Sequence, residues 1–115
     1  MTQKEVTING KEYPVVFNLK TITNFEYITG TSFFSDKLET LTSKMALLLA
    51  AASSADENTK LTLKDMTGRD SWKAIQEILV AATVVLHQAE DYFEIPAVIA
   101  AAEPLPTEKE EQGKN

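Results

Sequence analysis

Residues 6–30, VTINGKEYPVVFNLKTITNFEYITG, decide the fold. Asn9-Gly10 is the preferred pair for a type I′ turn, in which both central residues need a positive φ. With those two residues as the loop, Ile8 faces Lys11, Val6 faces Tyr13 and Lys4 faces Val15. Alternation then places Val6, Ile8, Tyr13, Val15 and Phe17 on one face of a hairpin over 4–17, and Glu5, Thr7, Glu12 and Val16 on the other. Pro14 falls opposite Glu5 in a non-hydrogen-bonded pair, so its missing N–H costs the hairpin nothing. The same proline leaves the outer edge of its strand short of a donor, which discourages further pairing there.

The second half of the stretch predicts a helix over 18–29. Asn18 is a good N-cap, Leu19, Ile22, Phe25 and Ile28 recur every three residues, and Gly30 supplies the stop. Working outward, TSFF (31–34) is a short connection with two aromatics to bury or show. Asp36 and Glu39 resemble a capping box, and Leu38, Leu41, Met45, Leu48 and Ala52 predict a second helix over 36–53. SSADENTK (53–60) reads as a polar loop. Thr62 and Asp65 open a short turn that Gly68 breaks. Asp70 then caps the longest helix, 70–89, with Trp72, Ile75, Ile78, Leu79, Ala82, Val85 and Leu86 on its buried face.

A lone two-stranded ribbon is marginal in water, and the helical stripes are available to cover it. The fold class is therefore α+β: an N-terminal β-hairpin packed on a bundle of about three main α-helices, in one domain over 1–102. Within it, YFEIP (92–96) is a small apolar cluster and AVIAAA (97–102) suits a final helical turn or two. EPLPTEKEEQGKN (103–115) is acidic, proline-containing and poor in apolar residues, and reads as a disordered tail.

Composition narrows the function. The 115 residues carry a net charge of −6. Residues 90–115 hold seven acids and two lysines, a net of −5, which leaves −1 for the first 89. A nearly neutral body with an acidic tail lacks the basic face that nucleic acid requires. The chain has no cysteine, which excludes disulfides, thiolate zinc sites and thiol catalysis. The N-terminus shows no apolar signal segment, and the longest apolar run, 74–86, is too short to span a bilayer. The expected location is the cytoplasm.

Catalytic constellations are weak. His87 with Glu90 and Asp91 could present metal ligands on one helix face, but with no second cluster a solvated helix end is the better reading. Glu26 and Tyr27 pair a carboxylate with a phenol, yet fit the exposed side of an amphipathic helix. Ser53-Ser54 has no histidine partner, and NGK and TGRD lack the spacing of a phosphate loop. No enzyme activity, cofactor or metal is expected; the chain reads as an interaction protein. Phe33 and Phe34 are adjacent, so both can hardly enter one core, and Trp72 opens a helix where large aromatics often sit at interfaces. With Leu48, these residues form the candidate partner-binding surface: Phe33, Phe34, Leu48 and Trp72. Small residues in MALLLAAASS would let another helix approach, though tight internal packing explains them as well.

The opening also resembles the tail assembly chaperones of long-tailed bacteriophages and prophages. Their hairpin, aromatic–glutamate helix and terminal Thr-Gly are matched here by Ile8, Asn9, Gly10, Lys11, Tyr13, Phe17, Phe25, Glu26, Thr29 and Gly30. The likeness covers about residues 5–88 and is specific over the first 30; segment 90–102 matches no family feature. It implies a protein of the bacterial host cytoplasm that binds the tape measure protein, keeps its apolar segments soluble and helps tail tube protein polymerise around it. Self-association would be compatible with that role, and the acidic tail would suit the junction to a longer, frameshifted form. The alternatives are a structural tail or head-completion protein that stays in the particle, and a small non-enzymatic adaptor.

Overall fold

The computed structural model describes residues 3–94. Segments 97–102 and 103–115, expected to be a final helical turn or two and a disordered tail, lie outside the described residues, as do the last two residues of the YFEIP cluster.

The hairpin forms in the expected register. Strands β1 (Lys4–Ile8) and β2 (Lys11–Val15) pair Lys4 with Val15, Val6 with Tyr13 and Ile8 with Lys11. Asn9 and Gly10 take φ of 54° and 77°, the left-handed values that this turn demands. Val6, Ile8, Tyr13, Val15 and Phe17 are all buried, and Glu5, Thr7 and Glu12 are exposed. Val16 departs from the expectation. Pairing stops at Val15, the alternation stops with it, and Val16 turns inward, its N–H donating to the Ala51 carbonyl at 3.3 Å.

Helix α1 (Leu19–Thr29) carries the expected ends. Asn18 accepts from the Thr21 N–H, Thr21 Oγ1 accepts in return from the Asn18 N–H, and Gly30 closes the helix at φ 76°. The buried set is Thr21, Ile22 and Phe25, while Leu19 and Ile28 are exposed. A strict three-residue spacing explains the loss of the two outer members. Each step falls short of a full turn by about 60°, so Leu19 and Ile28 end up on opposite flanks of the stripe.

Helix α2 begins later than the pattern suggested, spanning Leu41–Ala55 with Thr40 as N-cap. Asp36 caps a different object. Its Oδ1 accepts from the Leu38 N–H at 2.7 Å and its Oδ2 from Ser43 Oγ at 2.9 Å, and Lys44 Nζ donates to the Leu38 carbonyl at 2.6 Å. These bonds hold Leu38 at φ 57°, a conformation that costs a residue with a Cβ about 1 kcal/mol or more. Burial of the Leu38 side chain offsets that strain. The helix is buried almost all round through Met45, Ala46, Leu47, Leu48, Ala50, Ala51 and Ala52, because it packs on α1, on β2 and on α4 at once. Its run of alanines is internal packing.

The short helix α3 (Leu63–Thr67) has the full reciprocal cap between Thr62 and Asp65. Helix α4 (Trp72–Phe93) is capped by Ser71, whose Oγ accepts from the Ala74 N–H at 3.2 Å, in place of Asp70. Its buried face is Ala74, Ile78, Ala81, Ala82, Val85, Gln88 and Ala89. At about 100° per residue Trp72 sits roughly 140° from the centre of that stripe, and Leu79 about 120°. Both are therefore exposed, and Ile75 and Leu86 are only partly covered.

Helices α2 and α4 lie against the inner face of the hairpin, α2 beside β2 and α4 beside β1, and α1 packs on α2. Three polar ties fasten these layers. Thr21 Oγ1, fully buried, donates to the Val16 carbonyl at 2.8 Å and lies 2.9 Å from Ser54 Oγ, which reaches Asn18 Oδ1 at 3.1 Å. Gln88 Nε2 donates to the Val15 carbonyl at 3.1 Å inside the core. Glu77 accepts the Asn9 N–H at 2.9 Å, docking the tip of the hairpin on α4.

Candidate interaction surfaces

All five phenylalanines of the chain, 17, 25, 33, 34 and 93, gather with Tyr92 into one cluster. Phe17 stacks obliquely against Phe33 and edge-on against Tyr92 and Phe93, with ring centroids 5.5 to 5.6 Å apart. Phe33 meets Phe25 at 5.4 Å and Phe34 at 5.3 Å, both edge-to-face. Such geometry is the favoured one for aromatic pairs and fixes each ring against the next. The cluster joins the exit of the hairpin, α1, the turn after it, and the last turn of α4.

The turn is what divides the two neighbouring rings. Ser32 accepts from the Phe34 N–H, and residues Phe33–Ser35 form a single 3-10 turn. Glu26 Oε2 accepts the Phe33 N–H at 2.9 Å. That carboxylate, which the sequence offered as part of a plain solvent face, is a structural tether for the aromatic turn. So restrained, Phe33 points inward at 6% exposure and Phe34 outward at 62%. Phe34 stays in touch with Phe93, 6.2 Å away, so the exposed ring is the outer member of a packed stack, beside the partly exposed Tyr92.

The four residues expected to share a partner surface do not do so. Leu48 is fully buried in the centre of α2 and Phe33 lies in the core. Phe34 and Trp72 are exposed, Trp72 at 66%, yet they mark opposite ends of α4. With 22 residues in that helix and a rise of about 1.5 Å per residue, Trp72 stands roughly 31 Å from Phe93. The surfaces around Phe34 and around Trp72 are therefore separate. Between them α4 presents Gln76, Leu79, Val80 and Thr83 to solvent, and residues 74–89 contain a single charged side chain, Glu77.

Glu77 is engaged elsewhere. Its carboxylate accepts the Asn9 N–H and pairs with Arg69, and these bonds hold its pKa below the usual carboxylate value, the Asn9 bond first, although burial works against them. The Tyr13 phenol is pushed up, chiefly by burial and secondarily by the negative charge of Asp65. His87, Glu90 and Asp91 belong to no cluster that could hold a metal ion: no such group of three occurs among the described residues. No helix among them is long and apolar enough to cross a membrane. What the geometry offers is apolar contact. The chain matches no family model, no curated protein and no solved structure.

Proposed function

We propose that this protein is a tail assembly chaperone of a long-tailed bacteriophage or prophage, binding the tape measure protein and assisting tail tube polymerisation. The observation that carries the reading is Phe34: a large ring left 62% exposed on a packed aromatic stack, with the Glu26 carboxylate fixing the turn beneath it. A chaperone of helical, apolar segments needs such a preorganised anchor, because affinity comes from burying a few rigid aromatic side chains with little ordering cost. The resemblance of the hairpin and first helix supplies the class. In that reading Asn9, Gly10, Glu26 and Gly30 are scaffold residues, each with a bond or backbone conformation that requires it.

The test starts with the DNA downstream of the gene. An overlapping reading frame followed by a very long, helically periodic one is expected, and its product, co-expressed with this chain, should remain soluble and co-purify. Phe34→Ala should abolish co-purification while leaving the fold intact. Metabolic or regulatory neighbours would favour the adaptor reading. Recovery of this chain from purified particles would favour a structural component.

A further inference from the structure

The flank of α4 beside β1 carries an ordered set of side chains. Lys73, Glu77, Val80, Val84, His87 and Asp91 follow one another at alternate spacings of four and three residues. At about 100° per residue they fall within roughly 80° of one another around the axis, about 110° from the centre of the buried face. Lys73, Val80, His87 and Asp91 are exposed, and Glu77 and Val84 are half-buried, so the stripe is open along its length. Val80 is 67% exposed, and with Val84 and with Glu5, Val6 and Thr7 of β1 it borders an open groove of about 420 Å³. Apolar positions in the middle of such a stripe, with charged or polar groups towards both ends, suit a helix that packs on another helix.

The order of the chemistry points to the occupant, because the stripe is complementary to itself when reversed. Lys73 and Asp91, Glu77 and His87, and Val80 and Val84 are three pairs with one common midpoint, Ala82. When two copies of α4 lie antiparallel with a two-fold axis at that midpoint, Lys73 of one copy meets Asp91 of the other. Glu77 then meets His87, and Val80 meets Val84, twice each by symmetry. A parallel pair would instead set Lys73 on Lys73, Glu77 on Glu77 and Asp91 on Asp91, like charge on like. We infer that a second copy of this chain docks on this flank, α4 against α4 in the antiparallel register, to form a two-fold symmetric dimer.

Each pair has the groups it needs. Glu77 accepts from Asn9 and Arg69 through Oε1 alone, and its Oε2 takes no bond among the described residues, leaving it to accept from an imidazole N–H. Val80 and Val84 lose water-facing apolar area at the centre, where the helices approach most closely, and the ammonium and carboxylate of Lys73 and Asp91 close both rims. The aromatic end stays open. Phe93, which touches Phe34, lies about 170° round α4 from the stripe, so pairing leaves both Phe34 rings in solvent at opposite ends of the helix pair.

The test is the oligomeric state of the full-length chain with charges exchanged, read by sedimentation equilibrium. One helix flank is smaller than a standard interface, so dimers should dominate only above about 0.1 mM chain. Lys73→Glu and Asp91→Lys should each weaken dimerisation at least about fivefold, since attraction becomes repulsion at two symmetric places. The double variant should return to within about twofold of the parent, a rescue that no effect on the monomer would produce. Val80→Asp should leave a monomer with the parent's unfolding midpoint, because the side chain it replaces is mostly in water. The native chain has no cysteine, so the register can be read by mixing Lys73→Cys chains with Asp91→Cys chains. Disulfides should join unlike chains at least about fivefold faster than like ones, because two Lys73 positions stand roughly 27 Å apart along the pair. A chain that stays monomeric to about 1 mM would overturn the inference. So would single exchanges without effect, a double variant that stays weak, or like chains joining as fast as unlike ones.

Discussion

The two ends of α4 are fastened in opposite ways. At its last turn, Tyr92 and Phe93 enter a stack of rings continuous with the core, and the stack ends in an exposed Phe34. At its first turns the contacts are polar: Glu77 holds the hairpin tip and Arg69, while Trp72 stands in solvent with no aromatic neighbour among the described residues. An exposed aromatic has different meanings in these settings. Phe34 is packed against Phe33 and Phe93, whereas Trp72 has no ring beside it among the described residues.

Substitutions can break that contrast, and the largest effect is expected at its root. Phe17→Ala removes the ring that joins Phe33, Tyr92 and Phe93, and should cost about 3–5 kcal/mol of stability in denaturant unfolding. A loss below about 1 kcal/mol would mean that the aromatic end is not an extension of the core. At the other end, Glu77→Gln should cost about 1–2 kcal/mol at neutral pH, since it weakens a charge-assisted tie to Asn9 and leaves Arg69 without its ion pair.

The pH dependence of that variant has a definite sign. Glu77 binds its proton less tightly in the folded chain than in the unfolded one, so its contribution is complete above the ordinary carboxylate range and is lost as pH falls through its lowered pKa. The stability gap between parent and variant should therefore be constant near neutrality and close as the solution is acidified, read from unfolding midpoints across that range. A gap that widened with acid would refute the assigned direction.

Smaller stability effects sharpen the functional half of the comparison. Phe34→Ala should change stability by less than about 1 kcal/mol, because most of the ring is already in water, while partner capture is lost. Trp72→Ala should move stability by no more than about 0.5 kcal/mol and leave capture intact, measured on the same unfolding curves and pull-downs. If Trp72→Ala removed capture and Phe34→Ala did not, the binding face would belong to the polar end of α4.

Much of this was legible in the residues. Asn9-Gly10 dictated the register down to each pair, and Asn18, Gly30 and the Thr62–Asp65 box marked their helix ends correctly. The candidate surface was legible only in part. That Phe33 and Phe34 must part ways follows from adjacency, but which one is buried depends on the Glu26 tether, a bond across seven residues. Leu48 was misplaced because a helix hemmed in on several sides has no outer face for periodicity to reveal. Thr21 passed unnoticed for the same kind of reason: its burial depends on Ser54, thirty-three positions away.

By itself, then, the sequence determined what is local: a turn that needs two positive φ values, caps whose side chains reach three residues on, and a neutral apolar body with an acidic end. Each of these is set by backbone sterics or by hydrogen bonds within one turn of chain. The tertiary structure decided which apolar residues are surface. Burial is a property of the neighbours an element acquires, and the neighbours of Phe34, Leu48 and Trp72 come from distant parts of the chain.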